Sequence, residues 1–157
     1  IAFPILQLTL VDSINKRVVY LSGEIKKLGL ERHTEAVHAR AEDLAHWAGQ
    51  RENYDYCISR AVARLLVLSE YCLPFVKLGG QMIAYKAGDI AEELSDAKVA
   101  IQKLGGELEQ VISFSLPDDA GERSLVVIRK LRETAGIYPR KAGMPAKEPL
   151  GSVSKKF

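Results

Sequence analysis

The chain has 157 residues, 47% of them apolar and 27% charged, which is one domain's worth of ordinary globular composition and excludes a disordered or fibrous chain. No apolar run reaches the roughly 20 residues that span a bilayer, and the opening IAFPILQLTLVDS lacks the basic stretch and cleavage site of a secretory leader, so a cytoplasmic protein without a membrane partner is expected. The net charge of +2 is unevenly spread: residues 1–122 carry 13 Lys/Arg and 18 Asp/Glu, net −5, and residues 123–157 carry 9 and 2, net +7, as for a basic tail that meets a polyanion.

Ile5 to Val11 has the length and branched residues of a strand, with Pro4 just before it and Asp12-Ser13 at its end. Val18, Leu21, Ile25 and Leu28 then share one helical face, closed by Gly29, with Ser13 as N-cap. Glu35–Ala39 and Tyr54–Ser59 read as the second and third strands, with a helical turn at Asp43–Trp47 between them. Leu65, Leu68, Cys72 and Val76 give a helix stripe terminated by Gly79-Gly80, which Pro74 kinks or ends early. Gln81–Tyr85 is a strand, and Ile90, Leu94, Ala97, Ile101 and Leu104 form a third helix before Gly105-Gly106. Glu107–Phe114 and Ser124–Ile128 are two strands joined by the turn-rich LPDDAGER.

Alternating strands and helices predict an α/β fold whose parallel sheet is covered on both faces, and the last two strands predict an antiparallel hairpin at one end. Periodicity stops at Leu131, and Pro139, Pro145 and Pro149 mark an extended arm. The chain thus divides into an α/β domain, 1–130, and a basic arm, 131–157. Cys57 and Cys72 have no CxxC spacing and read as reduced, partly buried thiols.

In open α/β sheets ligands lie beyond the carboxyl ends of the strands, where Asp12-Ser13, Ala41-Glu42 and Arg60 stand. Asp12 suits hydrogen bonds from ribose hydroxyls; the alternative is a helix cap. Glu42 is placed to meet the base of the same nucleotide, and Arg60 to pair bidentately with a carboxylate or phosphate. His33, His38 and His46 share no metal-ligand spacing, and no HExxH, Ser-His-Asp or phosphate-loop pattern occurs, so neither a metalloenzyme nor a serine hydrolase is expected. Trp47 reads as packing. In YPRKAGMPAKEPL, prolines and a glycine stiffen the backbone that carries Arg140, Lys141 and Lys147, as suits phosphate contacts, while Tyr138 and Leu150 suit a strap packed on the sheet.

LTLVDSINKRVVYL, HARAEDL, YDYCISRAVA, Gly79-Gly80 before QMIAYK, and YPRKAGMPAKEPL together resemble the RsmG/GidB family, bacterial methyltransferases that modify guanine N7 in 16S ribosomal RNA. The likeness runs from about Leu6 to Leu150. It implies a class I S-adenosylmethionine-dependent, Rossmann-like sheet of seven strands with the last antiparallel. It also implies that Ala41, Glu42 and Arg60 line the S-adenosylmethionine site, with Asp12 and Ser13 beside the cofactor. Lys16, Arg17, Arg140 and Lys141 match basic positions assigned to RNA or the active-site rim, and 16S rRNA or the small ribosomal subunit is the implied partner. The family's glycine-rich loop and first strand precede the segment with which this chain opens. The resemblance therefore implies the C-terminal portion of a longer methyltransferase, whose first strand lies between the strands at Ile5–Val11 and Tyr54–Ser59. Without that loop the alternative is a non-catalytic RNA- or ribosome-binding module that uses the basic arm.

Overall fold

The structure is a computed structural model that describes residues 5–60, 62–118 and 121–151. The last residues of the arm, 152–157, and part of the LPDDAGER turn, 119–120, lie outside the described residues. Strand β1 (Leu8–Asp12) leads into helix α1 (Asn15–Lys27), then β2 (Thr34–His38) and a single turn, α2 (Ala41–Leu44). Strand β3 (Tyr54–Arg60), helix α3 (Leu65–Cys72), a 3-10 turn at Leu73–Phe75, β4 (Val76–Ala87) and helix α4 (Ala91–Lys103) follow. The hairpin of β5 (Gly106–Ser115) and β6 (Glu122–Lys130) precedes the arm, which carries one turn, α5 (Met144–Lys147).

Two sheets result. Strands β1 and β2 pair in parallel from Leu8↔Thr34 to Asp12↔His38. The second sheet has the order β3-β4-β6-β5, with β3 and β4 parallel and β6 antiparallel between β4 and β5. Among the described residues β1 pairs only with β2 and β3 only with β4. Tyr54 Oη bridges the sheets by donating to Thr9 Oγ1 at 3.1 Å.

The α3 stripe ends earlier than its spacing suggested. Pro74 has no N–H and its ring opposes a continuing helix, so α3 stops at Cys72 and β4 begins at Val76. Gly79-Gly80 therefore lies inside β4, at an irregularity in its pairing with β3, and a Cβ at Gly80 would meet Asp55 O at 2.6 Å. Ser13 is not the cap of α1: the N-cap is Ile14, and its N–H is taken by Asp12 Oδ1 at 2.8 Å.

Burial follows the pleat. Met82 and Ala84 of β4 stand in register with Ile128 and Val126 of β6, all fully buried under Leu65 and Leu68 of α3 and Ala97 and Ile101 of α4. The expected cover on both faces does not hold for this sheet: Tyr56 and Ile58 are more than half exposed on the other side. Right-handed crossovers that step in one direction, β3 to β4 and onward, put α3 and α4 on the same face.

Cys57 and Cys72 are free thiols, and the hydrogen bond between them, together with burial, raises the Cys72 pKa well above the usual 9.0. The folded chain thus keeps a proton that the unfolded chain releases, so this group's stabilisation is full below about pH 9 and is lost as pH rises from there. Urea unfolding from about pH 8 to pH 10 should show stability falling with pH, and Cys72→Ala should flatten that slope. An undiminished slope would assign the decline to other groups.

Candidate functional site

The carboxyl ends of parallel β1 and β2 meet at one edge. Asp12, the last residue of β1, accepts Ala39 N–H through its carbonyl at 3.2 Å, which ties the β1 end to the segment leaving β2. Its carboxylate takes Ile14 N–H at 2.8 Å on Oδ1 and Arg17 Nη1 at 3.3 Å on Oδ2. A carboxylate has about four lone-pair positions, so half of its capacity is unused, and the side chain stays 23% exposed. Capping and ligand binding are therefore compatible. Ser13 presents its backbone carbonyl to His38 Nε2–H at 3.2 Å. Arg60 ends β3 with an exposed side chain that has no partner among the described residues. Leu8 and Val11 of β1 and Tyr56 and Ile58 of β3 stay exposed along the two strands that no ladder joins.

Ala41 and Glu42 open α2 just beyond the end of β2, and their own N–H groups have no acceptor among the described residues. The Glu42 carboxylate is buried and directed at the arm, where it accepts Gly143 N–H at 2.9 Å. Gly143 sits at φ +85, a backbone region that favours glycine. The ligand expectation for Glu42 thus rests on its backbone, since its side chain is engaged elsewhere.

Arg140, expected among the RNA-contact positions, is engaged within the fold. Its Nε and Nη2 donate to Glu70 Oε1 and Oε2 at 2.9 and 2.7 Å, and its backbone N–H donates to Glu70 Oε1 at 2.8 Å. The Glu70 side chain is 1% exposed, so it requires a cation, and the guanidinium fork supplies one. Glu70 in turn raises the Arg140 pKa. Arg140 is a clamp between arm and α3 through Nε and Nη2, which leaves Nη1 of its 24% exposed side chain for any phosphate contact. The arm is held further by Arg51, which donates to Tyr138 O and Thr134 O at 2.8 and 2.6 Å, and by His46 Nε2–H, which donates to Pro139 O at 2.9 Å. Lys141 and Lys16 are exposed and unpaired among the described residues, and Arg17 is exposed with only its long contact to Asp12. Trp47, expected to pack, is half exposed.

A wide-open surface depression lies between the segments leaving β3 and β4, lined by Ala63, Arg64, Lys86, Asp89, Glu92 and Glu93. Lys86 Nζ crosses it, donating to Ala63 O at 2.7 Å and Glu93 Oε1 at 2.6 Å, and Glu93 also accepts Leu65 N–H. The sequence pattern did not single out these residues. Glu92-Glu93 carried the available signal, an acidic first turn of α4, which reads simply as a helix start.

Residues 1–126 match the family model described as rRNA small subunit methyltransferase G. Proteins named ribosomal RNA small subunit methyltransferase G are 50% identical over 150 residues in Brevibacillus brevis and 52% identical over 147 residues in Desulforamulus reducens. These matches cover 96% and 94% of this chain but 63% and 61% of the relatives, so the chain spans about three-fifths of their length. Among solved structures, an rRNA methylase from Streptococcus thermophilus superposes with a TM-score of 0.55 at 16% identity, covering 80% of this chain and 74% of that one. TYW2 from M. jannaschii in complex with AdoMet gives 0.59 at 18% identity, covering 78% and 56%. At such identities these two structures speak for the fold alone: an α/β sheet of the class I methyltransferase type.

Proposed function

The chain belongs to the rRNA small subunit methyltransferase G family, and on that ground we propose that the whole protein transfers a methyl group from S-adenosylmethionine to guanine N7 of 16S rRNA in the bacterial cytoplasm. The observation that carries the proposal is the match over nearly the entire chain to relatives bearing that name.

The residues fit the methyl donor. Asp12 keeps free lone pairs at the carboxyl end of β1, as two ribose hydroxyls require. The unpaired Arg60 guanidinium suits the donor's carboxylate, and the free N–H groups of Ala41 and Glu42 suit the acceptor nitrogens of a purine. When bound, S-adenosylmethionine supplies a methyl group activated by its sulfonium charge. Guanine N7 has a lone pair and no proton, so the chain need not supply a general base; its residues bind, orient and stabilise charge. Exposed Lys141, Lys16 and Arg17 are the cations proposed to meet phosphates of the rRNA or the small subunit. The engagement of Arg140 by Glu70 weighs against a module that works by its basic arm alone.

The test is methyl transfer from radiolabelled S-adenosylmethionine to small subunits that lack the modification, with borohydride reduction and aniline cleavage to reveal N7-methylguanine. Label in 16S rRNA with scission at one guanosine is the expected result. Label without scission would reject N7, and binding of S-adenosylhomocysteine without transfer would reject this RNA substrate.

A further inference from the structure

The arm is fastened to the core on both sides of one free cation. Before Lys141, Arg51 takes the Tyr138 carbonyl, His46 takes the Pro139 carbonyl, and Glu70 accepts Arg140 N–H. After it, Met144 N–H donates to Lys141 O at 2.9 Å and Glu42 Oε1 accepts Gly143 N–H at 2.9 Å. The Lys141 side chain, between these ties, is exposed and unpaired among the described residues. A lysine on a loose tail must order its backbone before a phosphate contact gains anything. At Lys141 that entropy is already lost on folding.

Glu42 is the unexpected member of this set. It is buried on α2, 101 positions upstream of Gly143, and forms no ion pair among the described residues. Stability alone does not favour such a group, because one neutral amide does not offset the desolvation of a buried carboxylate. We propose that Glu42 is a positioning residue for rRNA binding: through Gly143 N–H it holds the turn Lys141–Met144 so that Lys141 Nζ meets a backbone phosphate. The inference rests on the reading of Lys141 as an RNA contact given above. The sign of the effect separates position from charge. An anion beside a polyanion weakens binding by charge, so neutralising Glu42 should not weaken it. Withdrawing its oxygen from Gly143 should.

The experiment measures filter binding of the whole protein to small subunits that lack the modification, without methyl donor, from about 50 to 200 mM salt. The variants are Lys141→Ala, Glu42→Gln, Glu42→Asp, and Glu42→Asp combined with Lys141→Ala. Gln keeps the reach and loses the charge; Asp keeps the charge and is one methylene short. Lys141→Ala is expected to weaken binding about threefold to fivefold and to make the salt slope shallower by about one. Glu42→Asp should do the same, the double variant should be no weaker than either, and Glu42→Gln should bind at least as tightly as wild type. Wild-type affinity in Glu42→Asp overturns the proposal, as do a Glu42→Gln as weak as Glu42→Asp and losses that add in the double variant. Should Glu42→Asp not fold, hydrogen exchange at the wild-type Gly143 amide decides: slow exchange at this exposed residue is expected, and free exchange overturns the proposal. Wild-type binding by Lys141→Ala would instead overturn the reading of Lys141 as an RNA contact. A wild-type protein that does not bind small subunits would overturn the substrate reading itself.

Discussion

Arg140→Ala is expected to destabilise the fold by about 3–5 kcal/mol, a large share of the roughly 5–15 kcal/mol that holds a domain together. The substitution strands a Glu70 carboxylate whose side chain is 1% exposed and whose charged donors both come from that guanidinium. Only the Arg140 backbone N–H would remain to it. Urea denaturation measures the loss directly. The paired change Glu70→Leu with Arg140→Met should recover most of it, because two apolar side chains need no counter-charge. Lys141→Ala, one residue on and exposed, should change stability by less than about 0.5 kcal/mol. A loss below about 1 kcal/mol for Arg140→Ala would mean that water screens the pair as it does a surface salt bridge.

Gly105→Ala should cost on the order of 4 kcal/mol or more. Gly105 stands at φ +85, and a Cβ there would lie 2.1 Å from the Arg132 carbonyl oxygen. The segments cannot simply part, because the Gly105 carbonyl accepts Leu131 N–H and Arg132 N–H at 2.8 and 3.0 Å. Gly88 is the comparison: φ is +66, but a Cβ would meet nothing within 4 Å, so Gly88→Ala should cost only about 1 kcal/mol of backbone strain. Thermal melts of the two variants separate steric contact from backbone preference. Equal losses would show that contact with Arg132 contributes nothing.

Periodicity made the elements legible because each helix stripe and strand must bury its apolar side. Ala97 and Ile101, picked by spacing, are buried, and the hairpin has the expected direction. Local chemistry that competes with the pattern was harder to read. The early end of α3 at Pro74 is legible in the sequence, but that Pro74 hands Val76 to a strand is not, so the glycine pair that resembled a helix stop lies at an irregularity within β4. Charge was the least legible, because a count of lysines and arginines carries no partners. Lys130 of the basic segment is fully buried, donating to Leu73 O at 2.7 Å and Thr134 Oγ1 at 2.5 Å, and burial lowers its pKa. Arg129 pairs with Glu109, and Arg140 with Glu70. Part of the apparent polyanion-binding charge is thus paired within the fold. Glu70 gave a usable warning: a lone charge in LLVLSEYC needs a buried partner, and the arm supplied one.

At the candidate site, strand-end reasoning located Asp12 and Arg60, whose positions depend only on where a strand stops. It could not foresee that Glu42 would turn to Gly143, a contact across 101 positions of sequence. Nor could it assemble the surface depression lined by Lys86, Asp89 and Glu92, which exists only because the segments leaving β3 and β4 fold beside each other.

The central proposal, that Asp12 at the end of β1 helps hold a methyl donor, is tested most directly by calorimetric titration of the whole protein and its Asp12→Ala variant with S-adenosylhomocysteine. The account predicts binding by wild type and a loss of affinity of about tenfold or more in the variant, the size of removing a charged acceptor from two hydroxyls. An Asp12→Ala protein that binds as tightly as wild type, or a wild type that does not bind at all, would contradict it.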